Sequence, residues 1–434
     1  MKLALLNPNF SDHRSSDAVQ PLVYALLKAL TPADVETVFF DERVEPLPLA
    51  ALEADLAALS VQTFTARRAY AIADRLRARG IRVVLGGIHP TLLPEEAAAH
   101  ADAVVIGDAE PVWGRVVADA RAGRLAPRYH GDVTAPLGGV VPERGIFAGK
   151  GYAGIRPVQF GRGCRFACDF CSVRAVYGSS RRQRPVAEVL GEIRALDERF
   201  LFFVDDNLLL ERERTRELLA GLRPLGTRWA CQVSLDAALD DGLLREMRES
   251  GCVLVFAGFE SLDPASLREM GKTVNTRLAS CADAVRRFRR FGLMVSGAFV
   301  FGYDRDTPAA IDATLRFALA ERLTLAHFNA AMPTPATPLY RRLEAEGRLR
   351  HRHWWVDPSF RYGDAMFTPR GMSPAQLADG CRAARRAFNS WPNILRRAWE
   401  PSSNSRSLFN LRAYLGANLI SRREIGRKQG LALG

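Results

Sequence analysis

Three cysteines stand within eight residues of one another, Cys164, Cys168 and Cys171, in the pattern C-x3-C-x2-C. Thiolates at that density suit a soft metal centre, either zinc or an iron–sulfur cluster. A closed structural zinc site needs a fourth ligand, and neither Cys nor His follows in the next fifty residues. Three thiolates on one loop describe instead a [4Fe–4S] cluster with one iron left open. A chance gathering of buried cysteines is the plain alternative, but Cys231, Cys252, Cys281 and Cys381 are scattered singly through the rest of the chain.

Phe170 precedes the last of the three cysteines, so the motif reads C-x3-C-x-φ-C. It resembles the signature of the radical S-adenosylmethionine (radical SAM) enzymes. The resemblance implies that Cys164, Cys168 and Cys171 hold three irons while SAM chelates the fourth through its amino and carboxylate groups. One electron from the cluster then splits the sulfonium to a 5′-deoxyadenosyl radical. Phe170 belongs to the SAM site on the same reading.

The elements that must position this loop form two alternating strand–helix series. In residues 1–125, apolar strands are expected at 3–6, 35–40, 55–61, 81–85 and 103–106, with helical spacing at 19–30 and 66–79. Such alternation describes a doubly wound parallel sheet, whose ligands bind at the carboxyl ends of the strands. Those ends carry Ser60, Gln62 and Thr63, then Gly86, Gly87 and His89, then Gly107 to Glu110. The pattern ALSVQTFT…RVVLGGIHPTLLPEEA…ADAVVIGDAE resembles the cobalamin-binding domain that precedes the barrel in the B12-dependent branch of the superfamily. That resemblance implies cobalamin contacts at Ser60, Gln62, Thr63, Gly86, Gly87, His89, Gly107 and Glu110, with the glycines letting the backbone approach the corrin or its nucleotide tail. The D-x-H-x-x-G motif of proteins whose histidine binds cobalt is absent. His13 directly follows Asp12 and reads as a surface residue.

A Gly- and Pro-rich stretch, 126–155, reads as a linker, and a second series follows. Its strands are expected at 157–160, 201–204, 229–234, 253–258, 294–301 and 325–331, with helices between them. Six β/α units imply a partial, open barrel with its site on the carboxyl face. The resemblance places contacts at those strand ends: Asp205 and Asp206 for the SAM ammonium or the substrate, Gln232, Ser234 and Glu260 for the ribose or methionine of SAM, and Ser296 and Gly297 behind its adenine. For any one of them, a hydrogen bond at the barrel rim is an equal reading. Arg174, Arg181, Arg182 and Arg184 read as a solvated loop. Residues 333–340 resemble the turn after the sixth strand in this branch, with Ala336 in place of the usual Gly. The cluster His351, His353, Trp354, Trp355 and Tyr362 reads as either a cover for an apolar substrate or a packed lid. The expected architecture is α/β: a Rossmann-like cobalamin-binding domain (1–130), a linker (131–155), a partial (β/α)6 radical SAM barrel (156–342) and a mainly helical C-terminal region (343–434).

Composition narrows the surroundings. No apolar run reaches the roughly 18 residues of a membrane span, and the apolar part of MKLALLNPNF is too short for a signal peptide. Seven cysteines argue against a disulfide framework and for a reducing cytoplasm. The net charge of +12 is concentrated after Cys381, where eleven Arg and Lys face only Glu400 and Glu424. A solvated basic helix is the plain reading of this charge, although the tail permits peripheral contact with an anionic membrane. The helical apolar spacing of 408–420 allows such docking too, with core packing against the barrel the commoner outcome. No aromatic-interleaved basic stripe points to nucleic acid. Taken with the resemblance, the chain is expected to be a cobalamin-dependent radical SAM C-methyltransferase. Its substrate would be a small or lipid-like molecule and its electron donor a flavodoxin or ferredoxin. Ring closure or rearrangement without methyl transfer is the competing chemistry, and a non-catalytic B12- or metal-sensing module the competing class.

Overall fold

The computed structural model describes residues 1–196 and 200–434. Two parallel sheets organise it. The first contains β1 (Lys2–Asn7), β2 (Glu36–Asp41), β3 (Leu56–Ser60), β4 (Arg82–Gly86), β5 (Ala103–Ile106) and β6 (Arg128–His130), in the order β2-β1-β3-β4-β5-β6. The order reverses between β1 and β3, which is where an open α/β sheet leaves a crevice for ligands. Its strands are near-continuous apolar runs because helices cover both faces.

The second sheet is the open barrel. Its strands are β7 (Arg156–Val158), then, beyond a short ribbon of β8 (Gly161–Arg162) and β9 (Arg182–Gln183), β10 (Phe200–Phe203), β11 (Arg228–Val233), β12 (Cys252–Glu260), β13 (Met294–Phe301) and β14 (Leu325–Ala330). They pair in the order β14-β13-β12-β11-β10-β7, all parallel. Alternation along each strand sorts the side chains. Outward positions such as Cys231, Val255, Gly297 and Phe299 meet the helical layer. Inward positions are apolar near the strand starts (Ala230, Leu254, Met294) and polar near their ends (Gln232, Glu260, Ser296, His327, Asn329).

The C-terminal helices fill the apolar half. Ile394, Tyr414 and Phe409 pack on Ala230, Leu254 and Met294, and Phe409 meets Phe200 edge-on. Arg397 is fully buried there, stacked on Phe388 and bonded to the carbonyls of Leu323, Thr324 and Phe388. Burial pulls its pKa down to about 10.

Most elements lie within two residues of their expected bounds, and the exceptions have local causes. The first helix begins only at Leu22, because Pro21 disfavours helix in the residue ahead of it. The helix expected from 278 begins at Cys281, where the Ser280 hydroxyl accepts the Asp283 amide. Within the stretch read as linker, Arg128–His130 pairs with β5 and completes the first sheet. Trp354 and Trp355 are core residues with no exposed surface to offer as a cover.

Candidate functional site

The cysteine loop is suspended from the carboxylates at the end of β10. The buried Asp205 accepts the amides of Phe160 (3.0 Å) and Gly161, and Asp206 accepts that of Gly163 (3.0 Å). Gly163 is indispensable here. Its φ is +92°, and a Cβ would stand 2.1 Å from the Ser180 carbonyl oxygen. On the far side the Asp169 amide donates to Met270, and the Asp169 carbonyl accepts the Leu339 amide.

Cys164, Cys168 and Cys171 all line one cavity of about 500 Å³, together with Phe170, Asp206, Gln232, Ser234, Glu260, Ser296, Lys272, His327 and Asn329. Burial pushes the Cys168 thiol up to about 12, opposed by the Lys272 ammonium and reinforced by the other two thiols. Burial likewise raises Cys171, against the amides of Arg174 and Val173. Lys272 pairs with Glu260 at 3.2 Å, and Glu260 is held at φ +62°, an uncommon conformation for a residue with a side chain. His327 Nε2 lies 3.2 Å from Ser296 Oγ. Burial, then the charge of Arg385, lowers the His327 pKa and favours the neutral ring.

Two expected contacts fall outside this cavity. Asp205 is occupied by the two loop amides. Gly297 points to the helical layer, where a Cβ would meet Leu323, Phe299 and Phe259 at 3.0–3.2 Å. Its neighbours Ser296 and Ala298 face the cavity instead.

A second cleft, of about 370 Å³, lies at the carboxyl edge of the first sheet. Ser60, Gln62, Gly86, Gly87, Gly107 and Glu110 line it, over an apolar floor of Leu22, Val23, Leu26 and Leu27. Two of its glycines are required by chain crossings. A Cβ on Gly107 (φ +82°) would stand 2.4 Å from the Gly131 carbonyl oxygen, and one on Gly87 (φ +101°) 2.9 Å from the Val61 nitrogen. Thr91 ties the two loops, donating to the Gly87 carbonyl (2.8 Å) and accepting the Gly107 amide (2.9 Å).

Thr63 and His89 are not brought to this cleft. Thr63 is buried at the start of a helical turn. His89 is fully buried beside Tyr70 and Trp355, with Nε2 3.0 Å from the Glu96 carboxylate. His13 is not a free surface residue either, because it pairs with Glu424 at 3.0 Å.

The two cavities share a wall, the helix Ser172–Tyr177 that follows the last cysteine. Val173 faces the cysteine cavity, and Val176 and Tyr177 face the cleft. Charges fasten this wall across the domains. Asp108 pairs with Arg162 (3.1 Å) and Arg182 (2.7 Å), and Glu110 pairs with Arg162. Burial raises the Glu110 pKa, but Arg162 outweighs that and holds it below the ordinary carboxylate range. Arg182 and Arg184, expected as solvated loop, are thus buried ion-pair partners, Arg184 of Glu192 at 2.6 Å.

Comparison with known proteins matches this arrangement. Residues 158–318 fit the family model described as "Radical SAM superfamily", and residues 27–116 fit the "B12 binding domain". The bacteriochlorophyllide d C-12(1)-methyltransferase of Chlorobaculum tepidum is 31% identical over 389 residues, covering 87% of this chain and 84% of that protein. The chain belongs to the cobalamin-binding radical SAM family. The bacteriochlorophyllide d C-8(2)-methyltransferase of the same organism is 27% identical, covering 77% of this chain and 78% of that protein. In fold, the structure of TsrM from Kitasatospora setae, with cobalamin and a [4Fe–4S] cluster bound, superposes with a TM-score of 0.66. It covers 98% of this chain and 99% of that one at 15% identity.

This radical SAM enzyme is a C-methyltransferase that takes a [4Fe–4S] cluster, SAM and cobalamin as cofactors. Its residues fit those groups. An all-thiol donor set opens on one cavity beside a buried cation, as an anionic cluster requires. The cleft pairs an apolar floor with a bare glycine edge, and no histidine lines it.

The radical SAM site also holds residues that motif reading passed over. His327 and Asn329 are two apart on a predicted strand, so period-2 spacing alone would have put them on one face. Lys272 and Arg162 carried no local signal, since each acts through a partner distant in sequence.

Proposed function

We propose that the methyl acceptor is a large, mainly apolar ring carrying a carboxylate, in the class of the tetrapyrroles named for its two relatives. One observation carries this reading. At Phe170 and Asn329 the cysteine cavity adjoins a second chamber of about 390 Å³, walled by Phe64, Val300, Met332, Tyr362 and Met366. Arg385 also lines that chamber. Its Nε donates to the Cys381 carbonyl at 3.3 Å, and among the described residues it forms no ion pair, Asp364 in the same chamber accepting the Arg361 amide instead. A guanidinium so placed suits a substrate carboxylate, which it grips bidentately.

When bound, the cluster, SAM and cobalamin supply a hydrogen-abstracting radical and the methyl group. The chain's own part is placement. Cys164, Cys168 and Cys171 present three thiolates from a loop fixed at both ends, and Asp206, Gln232, Ser234, Glu260 and Ser296 offer the polar ring for SAM. Ser60, Gln62, Gly86, Gly87, Gly107 and Glu110 edge the cobalamin cleft. The apolar chamber keeps water from a carbon radical, and Arg385 sets which carbon of the ring reaches Asn329. The neutral His327 donates or accepts a hydrogen bond without adding a charge.

The test is anaerobic turnover with trideuteromethyl-labelled SAM, cobalamin, a reductant and bacteriochlorophyllide d. Gain of one labelled methyl group by the pigment is expected. The Arg385→Leu variant should raise KM for the free acid by roughly tenfold or more, the worth of one charge-assisted pair, and leave KM for the methyl ester unchanged. Release of 5′-deoxyadenosine with no methylation of any tetrapyrrole acid would overturn the assignment.

A further inference from the structure

We propose that the outer face of the C-terminal helices docks on an anionic lipid surface. The helix Trp391–Ala398 is amphipathic in the unusual sense. Its inward face buries Ile394 and Arg397, while Trp391 and Leu395, at i and i+4, and Trp399, just past its C-terminal end, stand 50%, 62% and 78% exposed. The neighbouring helix Leu408–Lys428 adds exposed Leu408 and Leu419, eleven residues apart and so about three turns along one stripe. Arg422 bridges the two helices, its guanidinium 5.4 Å from the centre of the Trp391 ring. Five of the eight most exposed large apolar side chains among the described residues therefore lie between 391 and 419. Scattered apolar residues need no explanation, but five gathered on two successive helices, two of them tryptophans, do.

Charge selects the occupant. Arg396, Arg412, Arg423 and Arg427 are exposed around the stripe. The two acids of this segment are turned inward: Glu400 onto Arg289 (3.2 Å), and Glu424 onto His13 (3.0 Å) and Lys428 (3.3 Å). Tryptophan and arginine around an apolar stripe are the composition of a surface that sits at the headgroup level of a bilayer. A second copy of this chain is a poorer fit, because a two-fold contact would set one arginine cluster against the other. No helix among the described residues is long and apolar enough to cross a membrane, so the contact is peripheral. The same helix also supplies Ser421, Ile425 and Lys428 to a cavity of about 200 Å³ that holds His327 and Arg385. The lipid-facing side and the way to the substrate chamber thus lie on one element.

The test is co-sedimentation of the full chain with vesicles of phosphatidylglycerol and phosphatidylcholine, set against vesicles of phosphatidylcholine alone. Binding should need phosphatidylglycerol and fall as salt rises. The Arg396→Gln/Arg412→Gln/Arg423→Gln variant should bind on the order of a hundredfold more weakly, at roughly fivefold per arginine. The Trp391→Ser/Leu395→Ser/Trp399→Ser variant should lose binding while keeping the thermal transition and 5′-deoxyadenosine release of the parent. Equal binding to both vesicles, or none to either, would overturn the proposal. So would a concentration-dependent dimer that the serine variant abolishes, which would give the face to a second copy.

Discussion

Replacing Asp205 separates a structural carboxylate from a ligand-binding one. Its side chain accepts the amides of Phe160 and Gly161, the two residues that lead into the cysteine loop, and it is 1% exposed. In Asp205→Ala both buried N–H groups lose their partner at roughly 1–3 kcal/mol each. With some relief from entering water, a loss of about 3 kcal/mol is expected. Asp205→Asn keeps one accepting oxygen, leaves the other amide without a partner and removes the buried charge. Burial pushes the Asp205 carboxyl up to about 7, against the pull of the two amides, whereas an unfolded aspartate titrates near ~4. A carboxyl raised on folding contributes stability that is complete below the unfolded value and is lost as pH rises through the folded one. Wild type should therefore weaken between about pH 4 and 7 relative to Asp205→Asn, which has no such group. Urea unfolding under anaerobic conditions across that range, with SAM affinity measured in parallel, checks both statements. An Asp205→Ala protein within ~0.5 kcal/mol of wild type, but unable to bind SAM, would refute the reasoning.

Other expectations follow from the same geometry. Cys164→Ala, Cys168→Ala or Cys171→Ala should each abolish the charge-transfer absorbance of the reconstituted cluster and the release of 5′-deoxyadenosine. Gly107→Ala should lose cobalamin on gel filtration, because its Cβ would meet the Gly131 carbonyl oxygen at 2.4 Å and push the cleft edge aside. Ala336 sits at φ +65°, a left-handed position where relatives are expected to carry glycine. Ala336→Gly should stabilise the chain by about 0.5–1 kcal/mol, the left-handed strain relieved less the entropy cost of glycine. In thermal denaturation its transition should rise.

The order and type of the elements were legible because each strand is a short apolar run between turn residues. The cysteine loop was legible because its chemistry is local. What escaped depends on direction and on distant partners. Gly297 and Ser296 are adjacent on one strand, yet only alternation against the observed helical layer shows which of them faces the cysteine cavity. His89 follows two glycines at a strand end, as a ligand contact would, but Glu96, Tyr70 and Trp355 draw it into the core. The basic tail read as a solvated helix. The helical apolar spacing of 408–420 did point to packing on the barrel, where Phe409 and Tyr414 sit, but nothing in the sequence marks Ile394 as joining them in its apolar half.

Asp108 gives the molecule a mechanical property. One carboxylate, set in the turn after β5, grips arginines on both strands of the ribbon that frames the cysteine loop, Arg162 on β8 and Arg182 on β9. A tilt of the first sheet is therefore passed to the cysteine loop through Asp108, with the Glu110–Arg162 pair beside it, so the spacing between the cleft and the cysteine cavity is set by this one cluster of charges. Substrates of differing girth must then be admitted by deformation elsewhere, at the apolar chamber.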